Sequence, residues 1–378
     1  MTDDGRTRQR RASAATTATG TARRRVTLSD VATAAGLSIT QVSRALAGYH
    51  DVSETTRARV RSLAQELGYR PSLRAQTLAM GRQAILRCSV VGFDLAASEL
   101  YHSPYGPLSA GILAGASAER MDVHLASIGR QSPADELARF VAEDRADGVL
   151  LVTFAPLRPR DVAPLEDAGV PYVLVNRHFD HVPDAIDVHC VTPTWLDATR
   201  DAVDRLHRLG HRRMAAVFVD GTTASSTALD HQQGWREGLA THGIDAVDAP
   251  ILHTSGGIGE MSGYELGRRM LTDGLPGSGE RPTAIVAYND THAQGVLRAA
   301  RELGVDVPGE LTVIGFDNSV GQYLWPALCS YDPHFYTVGE QSALLLASLL
   351  RGETAAGPRR RVRVPLDYVC RASCAPAP

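Results

Sequence analysis

The stretch from Val26 to Leu46 restricts the fold of this chain more than any other. Thr27 is followed three residues later by Asp30, and Ser38 by Gln41; both are capping-box helix starts. Between them Ala34-Ala35-Gly36-Leu37 makes a glycine turn so short that the two helices must cross. Leu28, Val31, Ala32 and Ala35 repeat on one face of the first helix, and Val42, Ala45 and Leu46 on one face of the second. That is the pattern of a helix-turn-helix, whose second helix enters the major groove of DNA. Ser53 caps a third helix that Gly68 ends, with Arg57, Arg59 and Arg61 able to face a phosphate backbone. Pro71 stops it, and Ser72 can cap one further short turn reaching toward Gly81. So short a helix does not hold alone, and it is expected to fold only against DNA and a twin copy.

Charge divides the 378 residues in the same way. Residues 1–88 hold fifteen arginines against six acidic residues, a net of +9, whereas the whole chain is at −3, so the remainder carries −12. A basic head on an acidic body suits a polyanion-binding module joined to a sensor. Residues 1–25, rich in Thr, Ala and Arg, show no periodicity and are expected to be disordered, with Arg23-Arg24-Arg25 adding salt-dependent phosphate contacts.

Four segments together resemble the amino-terminal signature of the LacI/GalR family of bacterial transcriptional repressors. They are Val26-Thr27-Leu28-Ser29-Asp30-Val31-Ala32, Val42-Ser43-Arg44, Gly68-Tyr69-Arg70-Pro71 and Ala75-Gln76-Thr77-Leu78. The resemblance implies that Ile39, Thr40 and Arg44 touch base edges, and that Ala75 and Leu78 sit on a hinge helix pressed into the minor groove. Thr27, Ser38, Gln41, Ser43 and Arg74 complete the candidate DNA contacts. Arg44 is the clearest on chemical grounds, because a guanidinium bonds both acceptors of a guanine. Leu78 would be an apolar wedge at the central base step, or packing against its dimer mate.

From Cys88 onward apolar runs alternate with helical periodicity: strands near 89–93, 123–127, 148–152 and 171–175, then 213–218, 284–288 and 312–316. Such alternation predicts two parallel, doubly wound α/β lobes with a cleft between them. Leu209-Gly210-His211, Gly234-Trp235-Arg236-Glu237-Gly238-Leu239, Tyr288-Asn289-Asp290 and Ile314-Gly315-Phe316-Asp317 resemble the family's periplasmic-binding-protein-like sensor. The resemblance implies a homodimer with a small-molecule effector in the cleft and three chain crossings, near 188–192, 318–322 and 344–348. The expected organisation is a tail (1–25), a DNA-binding head (26–70), a hinge (71–87) and a sensor (88–378). Lobe 1 would hold about 88–187 and 321–345, and lobe 2 about 188–318 and 346–378.

Candidate effector contacts are Asp290, beside Asn289, and Asp317, both following strand ends, where open α/β sheets collect ligands. Asp94, Tyr101 and Tyr105 follow the first strand. Three positions depart from the family. His231 stands where most members carry an effector-clamping arginine, Ile258 where many carry a stacking ring, and Thr194-Trp195 where an Asp-Asn pair is usual. Losing a bidentate donor and a ring platform leaves two readings. Either the cleft takes an unusual polar metabolite or carbohydrate, with Trp195 or Trp325 as the platform, or it has lost its ligand. A solute-binding protein of the same fold is the alternative from another class, disfavoured by residues 26–82.

Enzyme and metal signals are weak. Gly256-Gly257-Ile258-Gly259 lacks the strand–loop–helix setting and lysine of a phosphate loop. His178, His181 and His189 share a loop without ligand spacing, and His207 and His211 bracket a turn, so no metal or cofactor is expected. Five scattered cysteines suit a reducing compartment, and no apolar run approaches membrane-spanning length. The expected location is the cytoplasm.

Overall fold

The computed structural model describes residues 26–46, 52–69, 86–93, 105–128, 133–153, 157–181, 184–220, 226–254, 259–353 and 358–378. The chain divides into two units, Met1–Ala84 and Ile85–Pro378.

The first unit holds α1 (Leu28–Ala35), α2 (Ile39–Leu46) and α3 (Glu54–Glu66). Both capping boxes form. The Thr27 backbone N–H donates to Asp30 Oδ2 at 2.7 Å, and the Asp30 N–H to Thr27 Oγ1 at 3.3 Å. The Ser38 N–H donates to Gln41 Oε1 at 3.0 Å, and the Gln41 N–H to Ser38 Oγ at 3.2 Å. Gly36 takes the left-handed φ of 63° that closes α1. Val31, Ala32, Ala35, Val42, Ala45, Val60 and Ala64 make the small core, flanked by Leu28, Leu37, Leu46 and Tyr69.

Among the described residues, the second unit contains two six-stranded sheets. The first is formed by β1 (Leu86–Phe93), β2 (Met121–Ile128), β3 (Gly148–Thr153), β4 (Tyr172–Val175), β5 (Cys190–Pro193) and β11 (Arg361–Val364), in the order β11-β5-β4-β3-β1-β2 and parallel throughout. The second is formed by β6 (Met214–Val219), β7 (Ile251–Thr254), β8 (Ala284–Ala287), β9 (Thr312–Phe316), β10 (Cys329–Asp332) and β12 (Asp367–Val369), in the order β12-β10-β9-β8-β6-β7. Only its edge pair β10–β12 is antiparallel. β4 and β8 are buried along their whole length, as strands covered by helices on both faces must be.

Eight helices complete this unit among the described residues: α4 (Tyr105–Ala118), α5 (Pro133–Ala142), α6 (Pro159–Ala168), α7 (Trp195–Arg208), α8 (Ser226–Thr241), α9 (Glu260–Asp273), α10 (Asp290–Glu302) and α11 (Phe335–Leu350). The α4–α11 contact is a backbone-to-backbone approach. A Cβ at Gly111 would collide with the Tyr336 carbonyl oxygen, and one at Gly339 with that of Leu108. One apolar cluster runs from Leu150, Val173 and Val191 in the first lobe through Trp195 and Phe335 to Phe218 and Phe316 in the second.

The crossings fall later than expected, near 193–195, 332–335 and 364–367. β5 hydrogen-bonds into the first sheet, so residues 188–193 belong to lobe 1, not lobe 2. β10 joins the second sheet before α11 returns to the first, β11 adds a further strand to lobe 1, and β12 then closes the second sheet's edge. The three passes are tied together. The Thr194 N–H donates to the Val364 carbonyl at 2.9 Å, and His334 Nε2 lies 3.0 Å from Asp367 Oδ2.

Candidate DNA-reading head and interlobe cleft

On α2, Val42 and Ala45 are buried, whereas Ser38, Ile39, Thr40, Gln41 and Arg44 are exposed and Ser43 is half-exposed. Ile39, 52% exposed, is a large apolar side chain left outside the small core at the start of the helix. Such a group suits contact with a thymine methyl. Gln41 spends its carbonyl oxygen on the cap, which leaves its amide N–H groups facing outward. Two of the three α3 arginines have intramolecular work. Arg57 pairs with Glu54, and Arg59 donates to the Ala35 carbonyl at 2.6 Å, pinning α3 to the end of α1. The hinge candidates Arg74, Ala75 and Leu78 lie outside the described residues, as do Asp94, Tyr101 and Ile258.

In the cleft, the carboxyl ends of the strands face one another, and several of the contacts expected from the residue pattern change meaning there. Asp290 has no exposed surface. Its Oδ2 accepts the backbone N–H groups of Ser319 (2.8 Å), Val320 (3.3 Å) and Gly321 (3.0 Å), and its Oδ1 accepts the Ser330 hydroxyl at 2.6 Å. Burial pushes its pKa up against these donors. The carboxylate is a clamp on the loop after β9, not a ligand contact. Asn289 caps α10, accepting the His292 N–H at 2.9 Å. Trp195 is buried too: its Nε1–H donates to Asn176 Oδ1 at 2.8 Å, and its ring packs on Phe316 and Phe335. It joins the lobes and offers no open face. Trp325, 86% exposed, presents its ring to solvent.

His231 replaces the expected arginine with a neutral ring. Thr199 gives its one hydroxyl proton to the Trp195 carbonyl, so the 2.8 Å contact with His231 Nδ1 needs the proton on the imidazole. The ring is 1% exposed among Trp195, Phe218, Tyr288 and Phe316. Burial drives its pKa down to about 3.

Sequence reasoning missed the cation that is present. Arg177, 4% exposed, follows β4, and its Nη1 donates to Thr227 Oγ1 across the cleft at 2.8 Å. Burial lowers its pKa to about 10, opposed by Tyr288, Tyr105 and Asp230, so it stays charged near neutrality. The available signal was its place just past a parallel strand end. After the second lobe's β9 comes Asp317, at a φ of 86°. Desolvation, with Asp290 and Asp332 nearby, pushes its pKa well above the carboxylate range. Tyr105 and Tyr288 are half-buried in the same region. A guanidinium, a carboxyl and two phenols beside aromatic walls can bond hydroxyls and pack against an apolar ring face.

A second polar cluster bridges the lobes at the rim. His178 Nε2 lies 3.0 Å from Asp230 Oδ2, and His181 Nε2 2.8 Å from Asp230 Oδ1. The His178 backbone N–H donates to Ser226 Oγ at 3.1 Å. Burial opposes ionisation of Asp230, but the two imidazole donors hold its pKa at about 2. The other histidines of interest are structural. His211 bridges Thr283 and the Ala375 carbonyl, and His189 accepts the Arg360 N–H.

Comparison with known proteins decides what this assembly is. Residues 27–72 match the model of bacterial regulatory proteins of the lacI family, and residues 203–374 that of a periplasmic binding protein-like domain. The HTH-type transcriptional regulator CelR of Thermobifida fusca is 32% identical over 339 residues, covering 88% of this chain and 94% of that protein. The chain belongs to the LacI family. Another relative, the lactose operon repressor of Escherichia coli (strain K12), is 29% identical over 338 residues, covering 88% of this chain and 87% of that protein. Among solved structures, a CelR–cellobiose complex aligns with a TM-score of 0.66 at 27% identity, covering 92% of this chain and all of that one. A lac repressor dimer bound to operator and the anti-inducer ONPF also gives 0.66 at 27% identity, covering 93% of this chain and all of that one. This LacI-family chain is therefore a DNA-binding transcriptional regulator, with a helix-turn-helix head and a two-lobed sensor.

Proposed function

We propose that the chain is a cytoplasmic repressor that binds a pseudo-palindromic operator as a homodimer and is controlled by a carbohydrate-like effector in the interlobe cleft. The observation that carries the DNA reading is α2, whose outer face offers Ile39, Thr40, Gln41 and Arg44 while Val42 and Ala45 anchor it. A two-fold dimer matches a two-fold operator, because each head reads one half-site. Leu113 on α4 and Leu125 on the edge strand β2, exposed on adjoining elements of the first lobe, support a dimer face there. For the effector, Arg177, Asp317, Tyr105 and Tyr288 supply the polar contacts, and the relative solved with cellobiose supports the ligand class.

Selection of bound sequences from a random duplex library tests the first half, and a two-fold symmetric motif is the expected result. Melting the protein against sugars, polyols, nucleosides and amino acids tests the second. A ligand at a hundred times its Kd adds about 2.7 kcal/mol. The competing reading, a sensor without effector, draws on the internal use of Asp290 and His231. Silence across the panel supports it.

A further inference from the structure

We propose that His178, His181 and Asp230 form a divalent-metal site of the zinc class that staples the two lobes together. Their ligand atoms all lie within 4.8 Å of one another, and they come from two separate pieces of the fold. The histidines sit on the loop after β4 in lobe 1, and Asp230 on the second turn of α8 in lobe 2. Both carboxylate oxygens are engaged, each by a different imidazole Nε2, so the two rings and the carboxylate already converge on one another. The rings stand 5.3 Å apart at 61°, edge to face and not stacked.

The supporting atoms fit as well. The Asp180 backbone N–H donates to His178 Nδ1 at 3.3 Å, and Asp180 Oδ2 is also 3.3 Å from that nitrogen. In the metal-free form His178 thus carries its proton on Nε2. Metal binding through Nε2 needs the other tautomer: the Nε2 proton leaves to solvent, one is taken from solvent at Nδ1, and Nδ1–H then donates to the ionised Asp180 carboxylate while the Asp180 backbone N–H gives up this acceptor. Any proton on His181 Nε2 is released to solvent. Metal–ligand bonds of 2.0–2.1 Å at tetrahedral angles separate donors by roughly 3.3 Å, so on binding the contacts of 2.8 and 3.0 Å open, the carboxylate turns, and the set, now within 4.8 Å, draws together around the ion. His178 and Asp230 are buried, and the His181 side chain, 24% exposed, leaves an approach from solvent, the source of a fourth ligand.

The role follows from where the ligands stand. Since two come from one lobe and one from the other, an ion here holds the cleft shut independently of whatever the cleft contains.

The test is titration of the purified full chain with Zn²⁺ against a chromophoric chelator, and with Co²⁺ followed by visible absorption. One equivalent is expected, with a tetrahedral Co²⁺ band. His181→Ala and Asp230→Asn should weaken it at least a hundredfold, and Asp180→Asn ten- to a hundredfold. His124→Ala, on exposed β2, should leave it unchanged. His181 is partly exposed, so His181→Ala should keep its circular dichroism, which separates lost ligation from lost folding. Metal should also slow amide exchange at 178–181 and 226–230 together in the wild type. The proposal is overturned by no stoichiometric binding at micromolar metal, or by binding that survives His181→Ala undiminished and so resides elsewhere, for example on the cysteines. Neither result depends on which effector, if any, occupies the cleft.

Discussion

At Asp317 the backbone takes a left-handed turn that non-glycine residues rarely adopt, and the carboxyl is held where ionisation is disfavoured. On the proposed reading, this strain and displaced pKa belong to an effector contact. The sign is testable. The folded chain keeps this proton at pH values where the unfolded chain has released it, so the group destabilises the fold as pH rises above about 4. Asp317→Asn should therefore raise the melting temperature at pH 7 by an amount worth roughly 1.4 kcal/mol per unit of pKa separation, and the gain should vanish near pH 4. Melting curves of both proteins from pH 4 to 8 check this. Asp290, whose pKa burial also raises, differs in having a full set of donors. Asp290→Ala orphans three backbone N–H groups and the Ser330 hydroxyl, and should lower stability by about 3 kcal/mol or more in chemical denaturation. At Arg177, a lysine keeps the charge but loses the planar fork. Arg177→Lys should weaken the effector response at least tenfold while leaving effector-free operator binding intact, as anisotropy would show.

Among the elements, the recognition helix was legible from sequence because its signals are local. A cap and its partner stand three residues apart, and the buried face repeats every turn, so Thr27–Asp30 and Ser38–Gln41 could be read without knowing anything distant. Arg44→Ala should relax preference at one base pair of each half-site by about 1–3 kcal/mol. An unchanged motif from the same library selection would contradict that. The cleft was less legible for a physical reason. Whether Asp290 faces a ligand or a loop depends on Ser330, forty residues on, and whether His231 is a cation or a core ring depends on Thr199 and Phe316. Such partners leave no periodic trace. The crossings were displaced for a related reason: β5 and β10 are four-residue strands whose membership in a sheet is fixed by pairing, not by composition.

Across the sensor as a whole, the two sheets share one strand order, β2-β1-β3-β4-β5 in the first and β7-β6-β8-β9-β10 in the second. Three tied crossings connect them, and the lobes meet through an apolar cluster rather than across open solvent. Motion of such a body is expected about the crossings. The α4–α11 pair, locked by Gly111 and Gly339, resists sliding within the first lobe. Gly111→Leu should therefore prevent assembly of that lobe, which loss of far-ultraviolet circular dichroism on mild warming would reveal.

The shared strand order has one more consequence. Asn176 and Asp317 are the first residues after corresponding strands, β4 and β9, and both turn left-handed, at φ 57° and 86°. The chain thus makes the same bend twice, once on each wall. The outcomes differ in chemistry: one bend spends its side chain on Trp195 and delivers Arg177, and the other delivers a carboxyl. On the proposed reading, the cleft has a head and a tail. A molecule inserted end for end meets a cation where it expected an acid, so the two orientations of a nearly symmetric sugar are not interchangeable here. Discrimination between isomers that differ only in which end carries a substituent would follow directly from that asymmetry.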